Sequence, residues 1–147
     1  RYIRRGYDLP VFETAVSELR RRGIDVIVHT ILCLPGETKP DMLQTIQYLN
    51  RQDIQGIKLQ LLHILKDTDL AEIYASDPFP VPDPQEYYEL LGACISHLRP
   101  DIVIHRLTGD GPKELLTAPL WTCNKRQVLN QLQSYFKTHD IWQGKEY

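Results

Sequence analysis

An α/β fold with a parallel β-sheet is predicted by the distribution of apolar residues along this 147-residue chain. Segment 24–34 is a nearly continuous apolar run rich in β-branched residues, which is typical of a parallel strand covered on both faces. Segment 57–65 reads as the next strand, and a pattern of helical spacing follows each of the two. Two successive strand–helix units of this length indicate βαβ crossovers and therefore a parallel sheet.

In the first half of the chain, the helices are predicted from capping residues and apolar spacing. The first helix starts after Asp8 and stops at Gly23. Thr38 is placed to cap the second helix, and residues 68–74 begin a short third one.

The second half begins with a stiff proline-rich connector at residues 78–84. Asp83 caps a helix that runs to about position 98, and residues 102–107 read as a third strand. The stretch TGDGPKELLTAPLW is predicted to be a glycine-containing loop with one helical turn, after which Asn124 caps the last helix.

The second predicted strand has one polar face and one apolar face, because side chains alternate along a strand. Lys58 and Gln60 share one face, whereas Ile57, Leu59 and Leu61 share the other. A strand buried on both sides would not place Lys and Gln side by side. Two interpretations stay open: the polar face lines the lumen of a larger barrel, or the strand is an edge strand with one wet face.

Composition excludes several classes of protein. The net charge of −2 disfavours a polybasic membrane or nucleic-acid partner, although an RNA substrate stays open. No apolar run approaches the roughly 20 residues that cross a bilayer. The three cysteines form no CxxC pair, so we expect neither a disulfide framework nor a metal site made by this chain, and a reducing, cytoplasmic setting is the default.

Ligand sites in α/β sheets and barrels lie beyond the carboxyl ends of the strands. That rule nominates residues 34–38, 63–68 and 105–112. In the first of these segments, LPGET, the turn-forming Pro35 and Gly36 let the backbone approach a ligand, and Glu37 precedes a helix. The alternative is that Glu37 and Thr38 only cap that helix.

The other two nominated segments carry histidines. His63 stands at a strand end, where a hydrogen-bonded structural role is the alternative to a functional one. His105, Arg106 and Asp110 crowd the glycine-bearing HRLTGDGP loop, which could bind an anion through Arg106 and backbone amides. A plain surface loop held by an Arg106–Asp110 pair is the alternative.

Several stretches together resemble the carboxyl half of radical SAM enzymes: LPGET, GIKLQLLHILKDTDLAEIY, HRLTGDGP, APLW, the terminal WQGK and RGYDLPVFETAV before the first strand. Within that superfamily they are most similar to the YhcC-like bacterial branch, which is related to Elongator-type and oxygen-independent coproporphyrinogen oxidase-type proteins. The resemblance spans nearly the whole chain, and HRLTGDGP is its most specific segment.

The resemblance implies the carboxyl-terminal portion of a partial (β/α)6 TIM-like barrel. Residues 1–76 would hold the last βα units, and residues 77–147 would form an α/β extension packed on the barrel. The family uses a 4Fe–4S cluster to cleave S-adenosylmethionine (SAM) into a 5′-deoxyadenosyl radical. Its CxxxCxxC cluster motif is absent from this chain, so we expect a fragment of an enzyme, inactive alone, which needs the amino-terminal part of the barrel and an external electron donor.

Positions that match the family's motifs imply two sets of site residues. The SAM-bordering set is Leu34, Pro35, Gly36, Glu37, His63, Ile64 and Leu65. The candidates that face the lumen, and an unknown polar or anionic substrate, are Lys58, Gln60, His105, Arg106 and Asp110. No metal ligand is implied in this chain.

One residue departs from the family pattern, because Cys33 stands where relatives usually have Gly before LPGET. Two readings from other classes stay open beside the enzyme. One is a non-catalytic α/β binding or interaction module. The other is a small, cofactor-free α/β hydrolase, or an anion- or phosphate-binding α/β protein, that uses His63, His105 and Asp110.

Overall fold

The computed structural model describes residues 6–109 and 111–147. Over these residues the helices are α1 (Leu9–Arg21), α2 (Lys39–Asn50), α3 (Asp69–Ser76), α4 (Pro84–His97) and α5 (Lys125–Thr138). The strands are β1 (Ile27–Leu32), β2 (Gly56–Leu61), β3 (Ile64–Leu65), β4 (Val103–Arg106) and β5 (Leu116–Ala118). Two short 3₁₀ helices span Lys113–Leu115 and Leu120–Cys123.

The main sheet has three parallel strands in the order β1-β2-β4, as the βαβ pattern predicts. Parallel neighbours need long crossovers, and α2 supplies the one between β1 and β2. The crossover from β2 to β4 contains α3 and α4. The third strand of the sheet therefore comes from residues 103–106, inside the segment 77–147 that the sequence assigns to the extension.

Within residues 6–109 and 111–147, helices cover one face of this sheet. The core contains Ile57, Leu59 and Leu61 from β2, packed with buried side chains of α1, α2, α4 and α5. The prediction that the first strand is covered on both faces is wrong, because Ile27 and Ile31 are 41% and 40% exposed. The physical reason is that all the helices in this core lie on one side, while the other side meets no second layer in the part of the chain that is described.

The single predicted strand 57–65 is interrupted in the structure. β2 ends at Leu61, and Ile64–Leu65 pairs antiparallel with Leu116–Ala118. The prediction that segment 108–121 is a loop with one turn is correspondingly incomplete, since it contains a strand, one whole 3₁₀ helix and the first half of another. Local patterns do not reveal a pairing between segments about fifty residues apart.

The predicted helix caps are confirmed where a side chain can reach the first turn. Asp83 accepts from the backbone N–H of Glu86 at 2.9 Å, and the Glu86 carboxylate accepts from the N–H of Asp83 at the same distance. At α2, the Asp41 carboxylate accepts from the backbone N–H of Thr38 at 2.8 Å. Such reciprocal caps satisfy donors that have no partner inside the helix.

The amino-terminal end of the sheet, here called the amino edge (residues 50–56 and 99–103), is closed by side chains bonded to backbone. The Arg99 guanidinium donates to the carbonyls of Asn50 at 2.7 Å, Gln52 at 3.2 Å and Ile54 at 3.2 Å. The Asn50 amide donates to the carbonyl of His97 at 2.8 Å. The end of α2 and the loop into β2 are thereby tied to the end of α4.

The terminal WQGK stretch reinforces the same edge. The Gln143 amide donates to the carbonyls of Arg99 and Ile102, at 2.8 and 2.7 Å. Gly144 lies so close to Pro100 that a Cβ on it would be 2.5 Å from the proline ring, and its φ is +80°. Only glycine meets both conditions, so the family-like WQGK segment has a structural role here.

None of the helices in the described ranges, 6–109 and 111–147, has both the length and the apolar character needed to cross a membrane.

Candidate functional site

The sheet face without helices is here called the open face. It carries the side chains of Ile27, His29, Ile31, Lys58, Gln60, Val103 and His105. Lys58 and Gln60 are half-buried, and their alternation with three buried apolar residues matches the predicted pattern. Val103, at the other edge of the sheet, is 57% exposed. Exposed apolar side chains (Ile27, Ile31 and Val103) on the same face as the half-buried Lys58 and Gln60 are unusual for a surface that meets only water.

The strand register aligns three basic residues across the open face. His29 pairs with Lys58, and Lys58 pairs with Arg106. We call these three residues the basic row. The pKa of His29 is held below its ordinary value of 6.5, first by loss of solvation and then by the charges of Lys58 and Arg106. The three side chains therefore share one positive field.

An irregularity in the pairing of β2 with β4 helps to build this row. The register shifts between Ile57 and Lys58, so that β4 advances by two residues, from Ile104 to Arg106. His105 lies over Gly56, where an added Cβ would come within 2.6 Å of the ring Nε2. The bulge thus brings the consecutive residues His105 and Arg106 to the same side of the sheet, which is a common use of bulges beside functional sites.

The LPGET turn follows β1 at the carboxyl end of the sheet. The Glu37 carboxylate accepts from the backbone N–H of Leu34 at 3.1 Å, and the N–H of Glu37 donates to the carbonyl of Leu34 at 2.9 Å. Partial burial raises the pKa of Glu37. Gly36 has φ of +81°, and an added Cβ would meet nothing within 4 Å. The turn is therefore closed by its own carboxylate, with open space on the Gly36 side.

Cys33 occupies the left-handed backbone region that favours glycine, with φ of +65°. This conformation gives a physical reason for the glycine that relatives are expected to carry at this position. Burial raises the pKa of the Cys33 thiol to about 12, and Glu37 and Glu86 add to the effect. A thiol with such a pKa is neither a nucleophile nor a ready metal ligand at neutral pH.

His63 packs inside the glycine-bearing loop of the HRLTGDGP segment. A Cβ on Gly109 would lie 2.3 Å from the His63 Nε2, and one on Gly111 would lie 3.0 Å from its Nδ1. The backbone N–H of Gly111 donates to Nδ1 at 3.3 Å. Two of the three nominated segments therefore meet, and the loop uses its glycines, and one of its amides, to hold the imidazole.

A buried tyrosine fixes the beginning of that loop. Tyr87 of α4 is 0% exposed, and its hydroxyl donates to the carbonyl of Leu107 at 2.8 Å. Burial raises the pKa of Tyr87 well above its ordinary value of 10. Tyr87 therefore acts as a neutral donor that anchors the carboxyl end of β4 to the helical layer.

The remaining predicted site residues lie around these groups. The N–H of Leu62 donates to the carbonyl of Leu32 at 3.0 Å, so the LPGET turn and the His63 segment leave the sheet side by side. Ile64 is fully buried and Leu65 is half-buried in β3. Asp110, predicted as a lumen candidate, lies outside the described residues.

No group of three or more His, Cys, Asp or Glu that could hold a metal ion occurs in ranges 6–109 and 111–147. The three cysteines are free, and burial raises the pKa of Cys94, like that of Cys33, to about 12. These residues do not fit an iron–sulfur cluster, which needs thiolates at close spacing.

His29 is the site residue that sequence reasoning missed. Its position two residues before Ile31 places it on the same face as that exposed residue, but only the register aligns it with Lys58. The signal in the sequence was a histidine, next to Thr30, inside a mainly apolar strand.

Comparison of the sequence with known proteins shows which family it matches. A model of the radical SAM C-terminal domain matches residues 54–138. The chain is 34% identical over 97% of its length to YtqA of Bacillus subtilis (strain 168), and 30% identical over 95% of its length to YhcC of Escherichia coli (strain K12). It spans less than half of these relatives, 44% of the first and 45% of the second.

The fold also matches a solved structure. The archaeal Methanocaldococcus infernus Elp3 with an N-terminal deletion superposes with a TM-score of 0.79, covering 95% of this chain and 33% of that chain. At 14% identity this match shows a shared fold alone.

Proposed function

This chain belongs to the radical SAM C-terminal domain family, and from that premise we propose that it forms the carboxyl-terminal part of a radical SAM enzyme's catalytic barrel. The open face carries this proposal. Its half-buried polar side chains and exposed apolar ones lie on a three-stranded sheet whose helices, among the residues that the structure describes, all pack on the other side, and this suits the lumen wall of a larger barrel.

The missing cover would come from the rest of the longer protein. The curated relatives are more than twice as long as the segment that matches this chain, which leaves room for the other strands. In this proposal the free edge of β1 pairs with a preceding strand, and Ile27 and Ile31 become buried in the lumen. Residues 1–76 supply the last βα units, and residues 77–147 form the extension.

SAM and a 4Fe–4S cluster are the cofactors of the proposed enzyme. When both are bound, they supply a 5′-deoxyadenosyl radical that abstracts hydrogen from the substrate. The cysteines of this chain do not fit the cluster, so its ligands would belong to the other part of the protein. The turn fits a role beside SAM, because Gly36 leaves its backbone open on one side.

Each set of residues then has a role in binding. Leu34, Pro35, Gly36 and Glu37 would border SAM mainly through backbone, with the Glu37 carboxylate holding the turn in shape. His63, Ile64 and Leu65 would form the adjoining wall, fixed by the packing of His63 against two glycines. Lys58, Gln60, His105 and Arg106, with Asp110, would face the substrate.

We further propose that the enzyme works in the cytoplasm with an external electron donor, because free cysteines and a reductive cofactor both suit a reducing compartment. The substrate class implied by the basic row is polar and anionic.

The test is anaerobic reconstitution of the full-length protein that contains this chain, followed by detection of 5′-deoxyadenosine from SAM under reducing conditions. We expect the product to form, and to fall at least about 10-fold when Gly36→Val fills the space beside the turn. Lys137→Gln on the exposed side of α5 serves as the control and should leave the yield unchanged.

A full-length protein that binds no cluster and forms no 5′-deoxyadenosine would contradict the proposal. That outcome would instead support a non-catalytic α/β binding module built on the same fold.

A further inference from the structure

The basic row joins two cations, Lys58 and Arg106, and one titratable imidazole, His29, on neighbouring strands. Its members belong to three adjacent strands, and the register places them opposite one another. Strands in a sheet lie about 4.8 Å apart, so the row spans about 10 Å between the backbones of its outer members. Long side chains on two of the three positions allow the charged tips to converge on a smaller ligand.

Lys58 is the centre of the row and has no partner in the described part of the chain. Its ammonium makes neither a hydrogen bond nor a salt bridge there, although the residue is half-buried. A half-buried cation without a partner is costly unless a ligand or another part of the protein neutralises it. The neighbouring Gln60, one pleat along the same face, is also half-buried and offers both a donor and an acceptor.

The composition of the row indicates which anion it suits. A guanidinium presents a planar fork of donors, an ammonium acts as a compact point charge, and an imidazole can donate from either nitrogen. A single carboxylate can engage only one or two of these groups at once. Two linked phosphoryl groups, with many oxygens and several negative charges, can engage all three.

We propose that His29, Lys58 and Arg106 together bind a diphosphate group on the substrate of this protein. The register aligns the three residues on one face, and the bulge in β4 brings Arg106 opposite Lys58. A long nucleic-acid backbone is a poorer match, because the chain carries a net charge of −2 and the row has only two cations beside one imidazole. The inference rests on the proposed function, since it treats the open face as the lumen wall.

The experiment measures binding of inorganic pyrophosphate to the full-length protein without SAM, by calorimetry, with inorganic phosphate and acetate as comparison probes. We expect pyrophosphate to bind about 10-fold more tightly than phosphate, because two linked groups reach more of the row. Lys58→Gln and Arg106→Gln should each weaken pyrophosphate binding about 10-fold, and His29→Gln about 3-fold. The exposed-lysine control Lys137→Gln should bind like the unmodified protein.

Hydrogen exchange of the unmodified protein gives a second readout that does not depend on the folding of any variant. Pyrophosphate should slow exchange in β1, β2 and β4 and leave α5 unchanged.

Three results would overturn the inference: no binding of pyrophosphate, equal losses in the row variants and the control, or displacement of pyrophosphate by SAM. The last result would assign the row to the carboxylate of SAM. Formation of 5′-deoxyadenosine is measured separately, so failure of the diphosphate site leaves the proposed function standing, and failure of the proposed function is recognised by its own assay.

Discussion

The two ends of the parallel sheet differ in how their polar groups are used. At the amino edge, Arg99, Asn50 and Gln143 spend their side-chain donors on backbone carbonyls of neighbouring segments. On the open face and at the carboxyl end, Lys58 has no partner within the described residues, and the space beside Gly36 is empty. At the amino edge, side-chain donors are bonded to backbone carbonyls of the same chain. Lys58 and the turn at Gly36 instead leave room for a ligand or for another part of the protein.

This difference follows the general division of labour in α/β barrels, where one end supports stability and the other carries the site. The division is not complete here, because His63 and Tyr87 hold the loop that follows β4 at the carboxyl end. The loop thus combines a fixed inner part with the basic residues that precede it on the strand. Substitutions at the two ends should separate stability from ligand binding.

The largest effect is expected at the amino edge. Arg99→Ala removes a charged donor from the carbonyls of Asn50, Gln52 and Ile54, so we expect the free energy of unfolding to fall by about 3 kcal/mol. Urea unfolding followed by circular dichroism measures this change. The exposed Arg51→Ala should cost less than about 0.5 kcal/mol. A loss at Arg99 no greater than that of the control would remove the contrast between the two ends.

A smaller loss of stability is expected where the loop that contains Gly109 packs against the imidazole of His63. Gly109→Ala places a methyl group 2.3 Å from the His63 Nε2, so the loop or the ring must move, at a cost of about 2 kcal/mol. In a His63→Ala background the same change should cost less than about 0.5 kcal/mol, because the obstacle is gone. Thermal unfolding of the four proteins completes the cycle, and additive losses would show that the glycine is not required by His63.

The turn before LPGET should respond to backbone conformation more than to lost contacts. Cys33 adopts φ of +65°, so Cys33→Gly removes backbone strain but loses the whole half-buried side chain, whereas Cys33→Ala keeps the Cβ and the strain. We expect Cys33→Gly to be more stable than Cys33→Ala by about 1 kcal/mol, which reverses the usual order of glycine and alanine. Denaturant midpoints of the two variants decide this, and a more stable alanine variant would contradict the strained conformation.

The smallest effect concerns pH. The folded pKa of His29 lies below its ordinary value of 6.5, so the unfolded chain binds more protons between those two values. The unfolding free energy should therefore fall as pH drops from 7 through 6.5 and should level off below the folded pKa. His29→Gln should flatten the part of this slope due to His29, and added salt should weaken the effect because the residue is exposed. An unchanged slope in His29→Gln would contradict the shared positive field.

Much of the fold followed from local patterns. The apolar runs, capping residues and helical spacing were sufficient to predict three parallel strands, and the caps at Thr38, Asp83 and Asn124 lie where the helices begin. The alternation of Lys58 and Gln60 with buried apolar residues could also be predicted, because period-two alternation is a property of the strand itself.

Features that depend on pairing between distant segments were not predictable. The short antiparallel pairing of Ile64–Leu65 with Leu116–Ala118 interrupts what looked like one long strand. The exposure of Ile27 and Ile31 could not be predicted either. An apolar strand has the same sequence pattern whether its second face is covered by this chain or by another part of the protein.

The sequence by itself determined the parallel α/β architecture, the starts of the capped helices and the family, because these depend on residues that are neighbours in the chain. Only the tertiary structure decided that His29 joins Lys58 and Arg106 in one row, and that the glycines of the last loop fit around His63. Both arrangements depend on strand register and on close packing between segments far apart in sequence. A local pattern specifies which face a side chain occupies, but not which residue stands opposite it.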